Sequence, residues 1–121
     1  MRLFNAQQAI AQQEPVKRTV LLKSDLEGVE GKEAVMFLAE LAPGAVGAKH
    51  YHPGTEVFYV LEGALAHEQE GKPPHTLKAG TAGSNPYKSV HTIRNPSKTE
   101  PAKALGVLIA DKGQPLVIPV K

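Results

Sequence analysis

The stretch GAVGAKHYHPGTEVFYVLEG, residues 44–63, carries the pattern that decides the fold of this chain. It holds His50, His52 and Glu56 within seven residues. Successive side chains of a β-strand point to opposite faces, so the two histidines lie on one face with Cα atoms about 6.7 Å apart. This spacing lets two imidazoles converge on a single ion, and it predicts a metal site on a strand.

Glu56 keeps the same parity, four residues after His52. The intervening Pro53-Gly54 is expected to kink or bulge the chain and to return Glu56 to the same interior. His91, which follows a Gly/Pro-rich stretch, would come from a neighbouring strand to close the shell. Three imidazoles and one carboxylate suit one divalent Fe, Mn, Ni, Cu, Co or Zn ion, without choosing among them. The face of Glu56 continues with two residues expected to wall the pocket, Phe58 and Val60.

A lone histidine pair at this spacing is often an accident of surface composition. The parity of Glu56, the glycines on either side and the distant His91 make an accident less likely here. Competing signatures fail, since the sequence has no helical HExxH pair, no GxSxG elbow, no phosphate-binding glycine loop and no dinucleotide fingerprint.

The composition is ordinary for a single soluble domain with one modest core. The 121 residues are 41% hydrophobic and 21% charged, with a formal net charge of +2. The basic residues are scattered singly, so no nucleic-acid partner is expected. No apolar run approaches membrane-spanning length, so no membrane partner is expected either. Cysteine is absent, which excludes disulfides, thiolate ligands and thiol nucleophiles.

Glycine and proline punctuate the chain throughout. Ten Pro and eleven Gly argue against long helices. Between them lie many short apolar runs, which predict an all-β sandwich or barrel. The runs that read as strands are 19–23, 34–41, 56–62, 64–70, 76–79, 89–95, 104–110 and 116–120.

Residues 1–18 are polar and rich in glutamine, and they are expected to form an N-terminal arm or a short helix outside the core. A single domain is then predicted over residues 19–121. Ala9-x-Ala11 would suit a cleavage site, but Asn5, Gln7 and Gln8 interrupt any apolar leader segment. We therefore expect a cytoplasmic protein, with a truncated leader of an exported protein as the alternative.

Two motifs in the chain resemble those of the cupin superfamily. The first cupin motif is G-x5-H-x-H-x(3,4)-E-x6-G, and the second is G-x5-P-x-G-x2-H-x3-N. The resemblance covers residues 44–63 and 80–95, separated by sixteen residues, a short spacing typical of small single-domain cupins. Residues that fit are Gly44, His50, His52, Glu56 and Gly63 in the first motif, and Gly80, Pro86, His91 and Asn95 in the second.

The resemblance implies a double-stranded β-helix, a jelly-roll barrel with a metal in its mouth. It implies His50, His52, Glu56 and His91 as the metal ligands. It also suggests a homodimer, since small cupins commonly pair through their N-terminal strands.

For function, the resemblance suggests a metal-dependent dioxygenase of a small organic molecule, similar to quercetinase-like cupins. Glu56 would then be either a ligand or the catalytic base that takes a substrate proton. A metal-dependent isomerase or decarboxylase would use the same shell. The alternatives are a non-catalytic module that binds a metal or small ligand, and a barrel whose site has lost its ion.

The chain departs from the second motif at Lys88, which replaces a turn glycine. If the turn needs a positive φ, lysine costs roughly 1–2 kcal/mol there. Lys88 is expected to face solvent, and the alternative is a rim residue that attracts an anionic ligand. Residues 81–85 are small and polar where bulky apolar residues are usual, which predicts either an open pocket or a weakly paired strand.

The sequence suggests roles for three further residues. His67 shares parity with the inward-facing residues of its strand, so it is either a satisfied core histidine or a pocket residue. Tyr87 lies beside Pro86 and either lines the mouth of the pocket or packs against the turn. Asn95 is expected to fix a turn through backbone hydrogen bonds.

Overall fold

The computed structural model describes residues 16–121, which form ten strands and no helix. The leader-like segment and most of the predicted N-terminal arm lie outside the described residues. No part of 16–121 forms a helix that could span a membrane. In chain order the strands are β1 (Val16–Asp25), β2 (Lys32–Leu41), β3 (His50–Tyr51), β4 (Gly54–Glu62), β5 (Ala64–Gln69), β6 (His75–Lys78), β7 (Ala82–Asn85), β8 (His91–Arg94), β9 (Ala102–Asp111) and β10 (Ile118–Pro119).

The strands form two antiparallel five-stranded sheets that face each other. One sheet has the order β1-β2-β9-β4-β7, and the other has the order β10-β3-β8-β5-β6. Strands that follow one another in sequence repeatedly fall in opposite sheets, as in a jelly roll. The prediction of an all-β double-stranded β-helix is therefore confirmed.

The core lies between the sheets and follows directly from side-chain alternation. In β2 and β9 every second residue is buried, from Glu33 to Leu41 and from Ala102 to Ala110. Among these, Phe37 and Leu108 are 2% and 1% exposed. Burying one such side chain stabilises the fold by roughly 1.5–3 kcal/mol.

Register across the first sheet places small residues between large ones on the inner face. Gly106 of β9 is paired with Phe37 of β2 on one side and with Phe58 of β4 on the other. A Cβ added at Gly106 would lie 2.5 Å from the Phe37 ring. Gly83 of β7 is paired with Phe58, and a Cβ there would lie 2.6 Å from that ring. Because these two glycines have no Cβ, the rings of Phe37 and Phe58 can pack against them.

Three strands differ most from the predicted runs. Strand β1 begins at Val16, before the predicted run 19–23, and Val16 is buried in the core at 4% exposure. The polar strand β3 has only two residues, and β7 (AGSN) has no large apolar side chain, so neither shows a hydrophobic pattern. Of the two expectations for 81–85, the strand is present. It pairs with β4 over four residues.

The turn before β8 contains Lys88, the non-glycine residue with positive φ, at 67°, within the described part of the chain. Its side chain is exposed, with Nζ 5.3 Å from the centre of the Tyr87 ring. The departure from the motif therefore puts a strained, solvent-facing lysine into this turn.

Candidate metal centre

Three histidines meet between the sheets on the strands that their spacing predicted. His50 of β3 is the direct cross-strand partner of His91 of β8, and His52 follows β3. One ring nitrogen from each lies within 4.8 Å of the others. The three residues are 5%, 1% and 3% exposed, in the order His50, His52, His91. His91, from a neighbouring strand of the same sheet, therefore completes the cluster that His50 and His52 begin.

Each of these imidazoles is held by a backbone carbonyl at its Nδ1. His50 Nδ1 lies 2.9 Å from the carbonyl oxygen of Ala48, and His91 Nδ1 lies 2.9 Å from that of Ser89. His52 Nδ1 lies 2.8 Å from the carbonyl oxygen of Leu116, 64 residues away in sequence. A carbonyl oxygen only accepts, so each Nδ1 carries the hydrogen and donates it. Each Nε2 is then left with its lone pair, the form in which histidine binds metals.

Within residues 16–121, the Nε2 atoms of His50 and His52 are buried and find no hydrogen-bond partner, apart from the carboxylate of Glu56 beside His52. The rings are close, with centroids 5.0 Å apart for His50 and His52 and 4.3 Å apart for His50 and His91. Lone pairs that converge in a poorly hydrated interior repel one another, and an unpaired buried acceptor costs free energy. A shared cation removes both penalties, so this donor set fits a metal ion.

Burial also keeps these ligands in the protonation state that a metal requires. Loss of hydration lowers the pKa of both His50 and His91 to about 4, although the backbone bonds to Ala48 and Ser89 act in the opposite direction. Both imidazoles are consequently neutral at pH 7. Protons compete with a metal at this site only in acid.

Glu56 reaches the cluster from the other sheet. Its Oε1 lies 3.0 Å from Nε2 of His52 and 4.0 Å from Nε2 of His91. Burial alone would raise the pKa of the Glu56 carboxyl, but His52, Asn85 and His91 around it outweigh that effect and the pKa is lowered. At 3.0 Å, the Glu56 carboxylate and His52 Nε2 require either a hydrogen between them or a cation beside both, and a bound cation satisfies both groups.

The side chain of Glu56 is oriented by Asn85. The two are direct cross-strand partners in β4 and β7, and Asn85 Nδ2 donates to Oε1 of Glu56 at 2.6 Å. The Oδ1 of Asn85 accepts from Gln69 and from His67 of β5, both at 2.9 Å. Sequence reasoning missed Asn85 and Gln69. The visible signal was a polar residue at an inward-facing position next to a motif proline.

His67 belongs to this hydrogen-bonded chain rather than to the histidine cluster. Its Nε2 donates to Asn85, so its Nδ1 accepts from Nε2 of the exposed His75, 2.9 Å away. Burial lowers the pKa of His67, and the bond to Asn85 opposes this shift. His67 was expected to be either a satisfied core histidine or a pocket residue, and its contacts are those of a satisfied core histidine.

The histidines and Glu56 line a cavity of about 20 Å³. Such a space holds an ion or a water molecule and is much smaller than a typical small-molecule site. Phe58 lines it, whereas Val60 is fully buried in the core and Tyr87 is 58% exposed, and neither of these two lines the cavity. Other lining residues are Arg18, Phe37, Leu65, Asn85, Ile93 and Gly106.

Comparison with known proteins agrees with this architecture. A structure from Klebsiella pneumoniae, an uncharacterized conserved protein with a double-stranded beta-helix domain, has a TM-score of 0.70 and 23% identity, over 90% of this chain and 88% of that one. The DMSP lyase DddQ from Ruegeria pomeroyi has a TM-score of 0.69 and 22% identity, over 86% of this chain and 51% of that one.

Oxalate oxidase in complex with the substrate analogue glycolate has a TM-score of 0.70 and 22% identity, over 89% of this chain and 56% of that one. This chain thus spans about half the length of these two enzymes, and at such identities the similarity shows the fold alone. No curated protein matches the sequence significantly. The family model described as "Cupin domain" matches residues 37–108, more than half of the chain. The chain therefore belongs to the cupin domain family.

Proposed function

We propose that His50, His52 and His91, together with Glu56, hold one divalent first-row transition metal ion, and that the protein is a metal-dependent enzyme of a small organic molecule. Dioxygenase chemistry is the first candidate. The observation that carries the proposal is the convergence of buried, unpaired Nε2 lone pairs on one point. Imidazole and carboxylate ligands suit Fe, Mn, Co, Ni, Cu or Zn.

When bound, such an ion supplies Lewis-acid polarisation or redox chemistry to a substrate beside it. The chain's own groups do the rest. The apolar walls, Phe37 and Phe58, exclude water from the reacting centre. Glu56 is ionised and held by Asn85, so it can serve as a ligand or accept a substrate proton at Oε1. Two of the structures with this fold are enzymes by name, which is analogy in support of catalysis.

The second candidate is a non-catalytic module that binds a metal or small ligand. The limited size of the cavity favours this alternative, because a shell filled by protein ligands alone leaves little space for a substrate. The two candidates differ in a measurable way. An enzyme leaves coordination positions open to exchangeable water or substrate, whereas a storage site fills them.

The direct test is the metal content of protein purified without a His tag and without added metal. We compare wild type with His91→Ala and, as a control, with His75→Gln, which removes an exposed imidazole while its side-chain amide can still donate to His67. We expect near-stoichiometric metal in wild type and in the control, and its loss in His91→Ala. The identity of the metal then selects the chemistry to screen, with oxygen uptake first for Fe, Mn, Ni or Cu.

Metal-free wild type that stays metal-free after incubation with each of these ions would overturn the proposal. Equal loss in His75→Gln, which keeps a donor for His67, would show that the measurement reports surface binding. Stoichiometric metal without turnover or exchangeable coordination positions would favour the binding module.

We also propose that the protein pairs with a second copy through β1. This edge strand exposes Val20, Leu21 and Leu22 by 46%, 52% and 57%. Among the described residues no strand pairs with the outer edge of β1, and such an edge is a ready template for another strand. We expect a dimer by light scattering after size exclusion, and a monomer for Leu22→Lys. A monomeric wild type at high concentration would rule the pairing out.

A further inference from the structure

Arg18 lies on the inner face of β1, at the wall of the metal cavity. In the antiparallel register Arg18 is opposite Ala39 of β2, and Val16 is opposite Leu41. Ala39, Val16 and Leu41 are all buried, and directly opposed residues share a face of the sheet. The half-buried Arg18 therefore points between the sheets, where it lines the same cavity as the three histidines.

The side chains around Arg18 leave room for its guanidinium. Its neighbour Ala39 is paired with Ala104 of β9, and both alanines line the cavity. The long arginine stem can lie over these small residues with its charged end toward the ligands. The positive charge reaches His50, where burial is the main cause of the lowered pKa and Arg18 adds to it.

The charge in the cavity is distributed unevenly. Apart from the histidines and Glu56, Arg18 is the lining residue that carries a charge, and most of the other lining residues are apolar. With a divalent cation bound, one carboxylate and one guanidinium leave the cavity net positive. Such a low-dielectric cavity attracts anions. Guanidinium has five N–H donors in a planar fork that matches a carboxylate, so it can engage one while keeping other partners.

We propose that Arg18 determines specificity by binding the carboxylate of a small organic acid whose neighbouring oxygen reaches the metal. This inference rests on the proposed function, since it needs the ion at the histidine cluster. A carboxylate anchored by two parallel N–H···O bonds has a fixed orientation as well as a favourable energy. The cavity of about 20 Å³ leaves space beside the ion for only the smallest organic acids.

The test uses the full chain loaded with Co²⁺, whose visible spectrum responds to ligands that enter the shell. The probes are lactate and lactamide, which share a hydroxyl and differ in the charge that Arg18 would recognise. The variants are Arg18→Gln and Arg18→Lys, and the control is Arg94→Gln, which removes an exposed arginine beside Glu68. Inorganic phosphate serves as a second anion.

We expect wild type and Arg94→Gln to bind lactate at least about tenfold more tightly than lactamide. The preference should disappear in Arg18→Gln and be partly kept in Arg18→Lys, with Co²⁺ content unchanged in both. The Lys variant also guards against a folding defect, because it keeps the charge on a flexible stem.

An undiminished preference in Arg18→Gln, with Co²⁺ still bound, would overturn the inference and leave the proposed function standing. Tighter binding of phosphate than of lactate through Arg18 would overturn the carboxylate assignment. If wild type bound no Co²⁺, the proposed function would fail, and the inference that rests on it would fail with it.

Discussion

Two buried polar clusters in this barrel differ in whether their hydrogen-bonding atoms have partners. Asn95, at 3% exposure, has its side chain fully used. Its Nδ2 donates to the carbonyl oxygens of Leu41, Ala42 and Glu100 at 3.4, 3.2 and 2.7 Å, and its Oδ1 accepts from the Ser97 backbone at 3.0 Å. The turn predicted for this asparagine from sequence is present, and its partners are all internal.

The histidine cluster is equally buried but points its acceptors at one another. Nδ1 of each ring is paired with the backbone, while Nε2 of His50 and of His52 is unpaired and Glu56 adds a negative charge beside them. Buried polar groups that satisfy each other stabilise a fold, and those left unsatisfied store a cost that a ligand can remove. The comparison therefore separates a polar cluster that stabilises the fold, around Asn95, from one whose unsatisfied atoms are available to a ligand, the histidine cluster.

Substituting Asn95 should give the largest effect on stability. In metal-free protein we expect Asn95→Ala to lower the free energy of unfolding by about 2–4 kcal/mol, because it leaves buried carbonyl groups without donors. His52→Leu, of similar size, should cost less than about 1 kcal/mol, since losing the bond to Leu116 is offset by relief of lone-pair repulsion. Urea denaturation of both variants measures the difference. Equal costs would remove the distinction between the two clusters.

The clusters should also differ in their response to pH. The pKa of His50 and of His91 is lowered from 6.5 to about 4 in the folded state. Between these values the unfolded chain binds more protons, so the stability is fully present above pH 6.5 and falls as the pH drops toward 4. We expect the Tm of metal-free protein to fall by several degrees over this interval.

Two variants sharpen this measurement. His91→Gln should make the fall in Tm shallower, because one of the groups that causes it is gone. Asn95→Ala should lower the whole curve without changing its slope, since asparagine does not titrate. A Tm that stays constant between pH 6.5 and 4.5 would contradict the lowered pKa values.

Asn85 connects a satisfied network to the unsatisfied cluster, so its removal should have an intermediate effect. Without the 2.6 Å bond from Asn85, Glu56 is free to turn away from the histidines. We expect Asn85→Ala to weaken metal affinity by about tenfold, measured by competition with a chromogenic chelator. Gln69→Ala, one step further from Glu56, should change the affinity less. Unchanged affinity in Asn85→Ala would mean that Glu56 contributes nothing to binding.

Strain near the site should have the smallest effect and should not involve binding at all. Lys88 has a φ of 67° and an exposed side chain. We expect Lys88→Gly to stabilise the protein by about 1 kcal/mol in urea denaturation, with metal affinity unchanged. A loss of metal affinity would instead give Lys88 a role at the cavity, and no gain in stability would mean that the turn imposes no strain.

The sequence predicted what depends on local spacing. Side-chain alternation predicted that His50 and His52 point the same way and that Phe58 follows Glu56, and the second motif led to His91. Contacts set by register between distant strands had no such signal. The opposition of Glu56 and Asn85, and of Arg18 and Ala39, exists only once the strands have paired.

Strands β3 and β7 lie outside the apolar runs predicted as strands for a related reason, although the spacing of His50 and His52 and the small residues 81–85 had each suggested an extended chain. Their residues are short, polar runs whose extended form is imposed by neighbours, so no apolar period marks them. Tyr87 is the opposite case, an aromatic residue next to a motif that nonetheless lies outside the cavity.

The bond between His52 and the carbonyl oxygen of Leu116 has a consequence for how the protein matures. The ligands of the two motifs leave the ribosome well before residue 116, yet His52 gains its partner only when that late segment arrives and β10 pairs with β3. Domains of this kind fold as units once the required chain has emerged. We therefore expect the nascent chain to have no selective metal site when its early histidines emerge, so that metal binds only late in synthesis.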